Sequence, residues 1–422
     1  MQTYPQSLMQ LGTRSLLALV IAAPAAPVLA NPITEALVNG ETSLSARYRY
    51  EFVDQDGVDK DAHASTLRTT LGYQTGTVSD FSGFLEFESV TAIGNENFAS
   101  PTNSVPAPTP NNENPDERPV VADPTETEIN QAYLRYEGLP DTNIQYGRQV
   151  ITLDNHRFIG HVGWRQNQQT FDAATLVNES LADTTLSAGY IYNANRLFSN
   201  ASPMGNARMR TGFINARYDG LDVGSLTGYS YLLSYSDDPE SSTQTYGLRL
   251  TGDAELTPEV DGLYELEYAY QDDYDNNPGD FNTDYYKIEG GIATGGVTVK
   301  LGREVLGSDS GNTAFSTPLA TLHAMNGWAD QFLGTPALGL RDTKLSVSGQ
   351  LQGVNLMAVY HTFESDRGGV DYGTEFGFQA TYAFGDHYTV GAKAASYSKD
   401  DDVAANNTED TDKAWLWVSA SF

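Results

Sequence analysis

The sequence predicts an all-β fold, a transmembrane, antiparallel, up-and-down β-barrel of about 18 strands. Three observations predict it. Apolar or aromatic residues alternate with polar ones in segment after segment of roughly ten residues, the pattern of strands with two unlike faces. The connections between these segments alternate between long and short. An export signal precedes them, in a chain that contains no cysteine.

The signal comes first. Residues 1–30 carry one charge, Arg14, followed by the apolar run SLLALVIAAPAAPVLA and small residues that suit cleavage after Ala30. Residues 31–422 are then expected to form the barrel with its long acidic outer loops. The formal net charge of −31 repels nucleic acid and argues against a polyanion-binding exterior. Without cysteine there are no disulfides, no zinc thiolate site and no thiol nucleophile. No stretch after Ala30 reaches 18 apolar residues, so no membrane-spanning helix is expected.

Strand-like segments start near residues 44, 64, 80, 127, 142, 170, 184, 208, 222, 242, 259, 282, 296, 341, 353, 373, 387 and 412. Helical periodicity is almost absent. The 25 tyrosines and 17 phenylalanines suit strands and the aromatic girdles of a membrane barrel. Long connections cover 54–62, 91–126, 151–169, 195–207, 236–241, 271–281, 306–340, 364–372 and 399–411, and tight ones such as GLPDT, ATGG and FGDH lie between them. Short periplasmic turns and long outer loops have this asymmetry, whereas a soluble sandwich has no reason to keep it. In the closing KAWLWVSASF, Ala414, Leu416, Val418, Ala420 and Phe422 share one face, and that ending resembles the C-terminal strand signal of bacterial outer-membrane barrels.

When each strand is phased with its apolar set toward lipid, the other set faces inward. Arg47, Arg49, Arg68, Arg135, Arg217, Arg249, Lys287, Lys300, Lys344 and Lys393 then point to the lumen, with Glu51, Glu86, Glu88, Glu137, Glu265, Glu267, Glu289 and Glu375. The lumen is thereby enriched in positive charge relative to the chain as a whole, where 55 acids face 24 bases, and about half of the inward charges are expected to brace the wall as ion pairs. The connections 54–62, 91–126, 271–283 and 399–412 hold 20 acidic against three basic residues, which keeps them hydrated. The Pro- and Asn-rich part of 91–126 is expected to be mobile. DQDGVDKD at 54–61 offers carboxylates to calcium but lacks the spacing and closing Glu of an EF-hand loop.

The stretch GRQVITLDNHRFIGHVGWRQNQQTFD at 147–172 is the most distinctive in the chain. Asp154, His156 and His161 offer a base and an acid but no serine or cysteine, so catalysis would need a site assembled across strands. Two histidines five residues apart on a loop are a weak metal signal. As a loop folded toward the lumen, it would present Arg157, Trp164 and Arg165 to a solute, the guanidinium fork matching a carboxylate.

YGRQVITLDNHRFIGHVGWRQNQQTFDAA (146–174) resembles the signature segment of the alginate-export family of outer-membrane barrels. TPLATLHAMNGWADQFLGTPALGLRDTKLSVSG (317–349), which contains His323, Trp328 and Asp330, resembles that family's second recurrent block. The resemblance implies an 18-stranded barrel whose basic lumen passes an anionic polyuronate, and it nominates Arg148, Arg157 and Arg165, with Arg135 from the preceding strand. The final periplasmic turn here is only FGDH, and the inward charges are mixed rather than overwhelmingly basic.

The expected function is therefore a porin-like channel, not an enzyme, in the outer membrane of a Gram-negative bacterium. Its expected cargo is small, hydrophilic, anionic or sugar-like solutes, with export of an acidic polysaccharide such as alginate as the alternative. A barrel hydrolase and a surface adhesin are the rivals from other classes. Pore-lining and substrate-binding residues are expected to be Arg47, Arg49, Arg68, Arg135, Arg148, Arg157, Arg165, Arg217, Arg249 and Lys300. Outer-membrane lipid and the barrel assembly machinery are the expected partners, with no nucleic acid, cofactor or metal.

Overall fold

The computed structural model describes residues 31–100, 117–200, 202–400 and 408–422. Residues 1–30, expected to be an export signal, most of the Pro- and Asn-rich stretch, and Asp401 and Asp402 of the last acidic connection lie outside the described residues.

The chain order begins with a short helix, α1 (Pro32–Val38), followed by β1 (Glu41–Gln55), β2 (Ala62–Gln74), β3 (Phe81–Asn97), β4 (Glu126–Leu139), β5 (Thr142–Gln149) and β6 (Thr170–Asn178). Next come β7 (Thr184–Asn195), β8 (Asn206–Leu221), β9 (Gly224–Leu233), β10 (Thr243–Thr257), β11 (Val260–Asp273), β12 (Asn282–Thr294) and β13 (Val297–Leu306). A small hairpin, β14 (Ser308–Asp309) and β15 (Thr313–Ala314), sits in the long connection that follows. The wall resumes with β16 (Leu340–Leu351), β17 (Val354–Glu364), β18 (Asp371–Phe384), β19 (Tyr388–Ser398) and β20 (Thr411–Ser421).

Apart from the small hairpin, every strand pairs antiparallel with its sequence neighbours, giving one 18-stranded sheet among the described residues. β1 also pairs with β20, from Ser45↔Ser421 to Gln55↔Thr411, and this closes the barrel. Beyond that register, Phe422 N donates to the Leu44 carbonyl at 2.8 Å, and Leu44 N to the Phe422 carbonyl at 3.1 Å. Closure satisfies the backbone of every strand without water, as a wall in hydrocarbon requires. No helix among the described residues is long and apolar enough to cross a membrane.

The turns at one end are tight. Between β12 and β13 only Gly295 and Gly296 intervene, with φ of +57° and +79°, the left-handed pair that a two-residue hairpin needs. The other end carries the long connections. α1 lies at the tight-turn end, a stretch that strand patterning leaves unassigned. Asn31 caps it by accepting from Ile33 N at 3.1 Å, Pro32 fits its first turn, and its Ala36 carbonyl accepts Gly76 N at 2.9 Å.

The strand phase is visible on β18 and β20. Phe376, Phe378, Leu416 and Val418 face outward and exposed, whereas Glu375 and Trp415 are buried inside. Tyr382, Phe384 and Tyr388 form an outward aromatic cluster beside the turn at 385–387, with Phe384 and Tyr388 centroids 5.4 Å apart. That is an interfacial girdle. Replacing Phe378 or Leu416 with Arg should cost about 2–4 kcal/mol near mid-membrane. Gln379→Lys, on the opposite face, should be mild. Denaturant titration of the folded barrel in bilayers measures both, and equal tolerance would reverse the phase.

The largest buried cluster does not belong to the wall alone. It fills the loop-end half of the barrel around two connections, 150–169 and 307–339, and includes Phe158, Ile159, Phe171, Tyr231, Tyr285, Phe315, Leu319 and Trp328.

Candidate functional site

The connection 150–169 cannot be a hairpin loop. Its polar residues have no alternation, and Asp154, His156 and Val162 take left-handed φ values of +51°, +63° and +52°. The chain is folded back inside the barrel instead. There it meets the connection 307–339, which is equally irregular, with left-handed Gly327 and Asp330 and a 3-10 turn over Leu322–Ala324. The two associate through a short parallel bridge, Ile159 with Leu319. Gly160 N donates to the Leu319 carbonyl at 2.9 Å and Thr321 N to the His156 carbonyl at 3.0 Å. The Gln169 amide reaches the carbonyls of both Gly160 and Leu319, at 2.8 and 3.1 Å. Together they form a plug across the lumen, built from the two blocks that carry the family resemblance.

Three charged clamps fix the plug to the wall. Arg165 Nη1 lies 2.9 Å from Glu51 on β1, and its Nη2 lies 2.9 Å from Asp330 of the second loop. Arg157 pairs with Glu304 on β13 at 2.9 Å and donates to Thr317 and Asn326, each at 3.2 Å. Arg49 pairs with the fully buried Asp123, whose other oxygen accepts Gln166 N at 2.8 Å. Burial is the largest influence on Arg165 and disfavours its charge, but Glu51 and Asp330 outweigh it and raise its proton affinity above that of a free guanidinium.

An aromatic cage completes the attachment. Trp164 stacks on His323 with parallel rings 5.0 Å apart, and Trp415 and Trp417 on β20 meet it edge-on. The Lys393 ammonium from β19 sits 4.2 Å from the centroid of Trp164 and 3.9 Å from that of Trp328, and 2.8 Å from His323 Nε2. Glycines make room in the wall: a Cβ at Gly377 would come within 2.6 Å of the Trp328 ring, and one at Gly391 within 2.0 Å of Trp417. His323 Nδ1 is 2.7 Å from Asp330. Burial pushes the His323 imidazole down to about 3, with Lys393 and Arg165 acting in the same direction against Asp330. Asp330 is held well below the ordinary carboxylate range by His323, Lys413 and Arg165, against its burial.

Cavities lie on either side of the plug. One of about 630 Å³ opens toward the long loops and is lined by residues of the connections, with Arg165, His323 and Asp330 in its floor. One of about 420 Å³ lies at the tight-turn end, lined by Arg217, Arg249, Glu265, Glu289 and Lys300 of the wall and by Asp154 and Asn155 of the plug. The plug's tip is tied there: Asn215 donates to Asp154 at 2.6 Å and Asn155 to Glu265 at 3.2 Å.

The residues expected to line a passage separate into groups. Arg217, Arg249 and Lys300 border the 420 Å³ cavity. Arg249 pairs with Glu265 at 3.0 Å, Lys300 with Glu289 at 3.1 Å, and Arg217 with Asp219 at 2.8 Å. Arg47 and Arg68 point inward but hold the plug, Arg47 on Gln166 and the Gly163 carbonyl, Arg68 on Glu88 and Gln168. Arg135 donates to the Tyr133 hydroxyl at 3.1 Å. Arg157 and Arg165 are buried in ion pairs, because a loop drawn inside needs its charges neutralised, yet they still border cavities of about 210 and 630 Å³. Two expectations need correction. Arg49 is buried in its ion pair with Asp123 instead of facing open space. Arg148 shares the outward row of β5 with the exposed Tyr146 and pairs with Asp172 at 2.9 Å, because the pleat turns it away from the lumen. His156 and His161 pack edge to face, 5.2 Å apart.

Sequence reasoning missed Asp123, Asn326 and Glu304. Asp123 sat in a connection read as solvated, although its neighbours Val121 and Ala122 break the polar run. Glu304 continues the inward row of Lys300, so the alternation itself could have found it.

Residues 41–273, more than half of the chain, match the alginate-export family. The chain belongs to that family. No curated protein matches it in sequence. Solved structures resemble it in fold across nearly its full length. OccAB2 of Acinetobacter baumannii is 16% identical, with a TM-score of 0.70 over 92% of this chain and 99% of that one. OccK2 (OpdF) of Pseudomonas aeruginosa, solved in complex with glucuronate, is 17% identical, with a TM-score of 0.68 over 92% and 98%. OpdK of the same species, solved with vanillate, is 15% identical, with a TM-score of 0.67 over 92% and 99%. This alginate-export family member is an outer-membrane β-barrel of a Gram-negative bacterium.

Proposed function

We propose that the protein is a porin-like channel for small hydrophilic solutes, with a bias toward anions, and that Arg217, Arg249 and Lys300 line the passage on the periplasmic side. The observation that carries this reading is the 420 Å³ cavity, where wall residues of both signs surround polar space beneath the plug. Glu265 and Glu289 offset much of the positive charge there, which suits solutes that must leave as readily as they enter. Family membership keeps export of an acidic polysaccharide as the second reading. The plug favours the first, since a polymer would require both loops to be displaced together.

Single-channel recording in a planar bilayer is the direct test. Discrete conductance steps with a reversal potential toward anion preference are expected. A silent bilayer would leave an adhesin or another non-conducting role in possession. Replacing Arg217 and Lys300 together with Gln should lower the anion preference while leaving the barrel folded. Neutralising Asp54, Asp56 and Asp412 at the outer rim should change selectivity only at low salt, because exposed charges are screened beyond about 8 Å at physiological ionic strength. An unmoved reversal potential in the double variant would remove these two residues from the passage.

A further inference from the structure

Arg196 is the first residue after β7, and its guanidinium borders both the 630 Å³ cavity and an adjoining one of about 210 Å³. Its backbone is fixed, with N donating to the Gly205 carbonyl at 2.8 Å. Its Cζ lies 5.8 Å from the centroid of the Phe198 ring. Its Nε is buried without a hydrogen-bond partner, and no carboxylate pairs with the side chain among the described residues. The other cations of this cavity, Arg118, Arg165 and Lys413, differ, Arg118 donating to the Asp61 carbonyl. Arg165 is taken up by Glu51 and Asp330, and Lys413 by Asp330 at 2.8 Å.

The surroundings of Arg196 are apolar. Leu197, Phe198, Met204, Pro318, Leu322 and Leu333 line the same cavity, and Met204 and Leu333 are about half exposed. An apolar wall beside a partly dehydrated, unpaired guanidinium is poor ground for a sugar, whose hydroxyls would lose water without replacement. It suits a molecule with one anionic end and one apolar end.

We propose that the outer cavity is a capture site for amphipathic organic monoanions, with a carboxylate on Arg196 and an apolar body against Phe198, Met204, Leu322 and Leu333. As an entry site it rests on the channel reading; as a binding site it does not. The guanidinium supplies a forked, charge-assisted contact that a neutral analogue cannot make. The apolar wall supplies what a hydrophilic carboxylate cannot use.

The test uses the full-length barrel in lipid nanodiscs, free of detergent that would compete for the apolar wall. Four probes are titrated by calorimetry: benzoate, cyclohexanecarboxylate, benzamide and glucuronate. Benzoate and cyclohexanecarboxylate should each bind at least about tenfold more tightly than benzamide or glucuronate. Arg196→Gln should weaken benzoate about tenfold or more and leave benzamide unchanged. Met204→Asp, at an exposed loop position, should also weaken benzoate by placing a like charge on the wall. Arg210→Gln, at a residue that does not line the cavity and pairs with Asp275, should have no effect. Equal affinity for benzoate and benzamide, or an Arg196→Gln variant that binds like the parent, would overturn the proposal. Absence of binding by all four probes would overturn it too. Conductance in planar bilayers separates the two readings. A conducting channel that binds no benzoate sinks the capture site alone, and benzoate binding by a silent barrel sinks the channel alone.

Discussion

Arg165→Met should loosen the plug while leaving the barrel closed, raising single-channel conductance and exposing the connection 150–169 to protease. The expected cost to plug attachment is about 3 kcal/mol, the lower end for breaking a buried pair by removing one partner. The reason is what the change leaves behind. Glu51 is 1% exposed and loses its nearest cation, keeping only Arg49 at 3.4 Å, which Asp123 already engages. Asp330 retains Lys413 and His323, each within 2.8 Å, and this keeps the cost from being higher. A second variant tests the argument. Glu51→Met combined with Arg165→Met removes the orphaned carboxylate and should recover much of the lost attachment. Heat-modifiable mobility on gels should be normal for both, because strand pairing is untouched. If the double variant is worse than the single, the clamp holds the plug through shape and not through charge compensation.

Acid should release the same plug. His323 lies in the second loop and is buried among Trp164, Asp330, Lys393 and Arg165, with Lys413 on the far side of Asp330. Its imidazole is pushed from an ordinary 6.5 down to about 3, chiefly by burial. A depressed value in the packed state means that the released, hydrated loop binds protons more readily. Attachment is therefore complete above about pH 6.5 and is lost progressively as the pH falls toward 3. Tenfold in proton affinity is worth about 1.4 kcal/mol, so the full range amounts to an order of 5 kcal/mol. Asp330, held low by its cations, adds to the loss below the ordinary carboxylate range. The proton has no easy place to go: Lys393 donates toward Nε2, and Nδ1 faces Asp330. Channel conductance recorded from pH 7 down to pH 4 should rise in the parent. His323→Gln should flatten that dependence between pH 6.5 and 4. A parent that conducts identically across this range would show that His323 stays neutral without constraining the loop.

The wall was legible in the sequence, and so was the inward fold of the connection after β5, but the way the plug is attached was not. Alternation places the strand starts within about three residues, because each lipid-facing row must be apolar whatever the rest of the chain does. Phe378 and Gln379, or Leu416 and Trp415, can be assigned to opposite faces from spacing alone. Trp415 already marks the limit of that rule, since a tryptophan on the inward row has no meaning until Trp164 and Lys393 are placed beside it. The loops obey no period. Arg157 and Arg165 were recognisable as inward-directed, but an arginine waiting for a solute and one buried against glutamate look the same in one dimension. Only the partner decides, and Glu51 lies 114 positions away. The pairing of Ile159 with Leu319 was equally hidden, although both fall within the two blocks that resemble the family.

The seam between β1 and β20 has a consequence for the order of events in biogenesis. Hydrogen bonding across that seam cannot begin until the last strand has emerged, so an open sheet must exist before a closed one. One group of the plug's attachments falls on the strands at that seam: Arg165 on Glu51 of β1, Trp164 on Trp415 and Trp417 of β20, and Trp164 on Lys393 of β19. A segment near the middle of the polypeptide thus bridges the two ends of the wall from within. It acts as an internal splint between the first and last strands of the closed barrel.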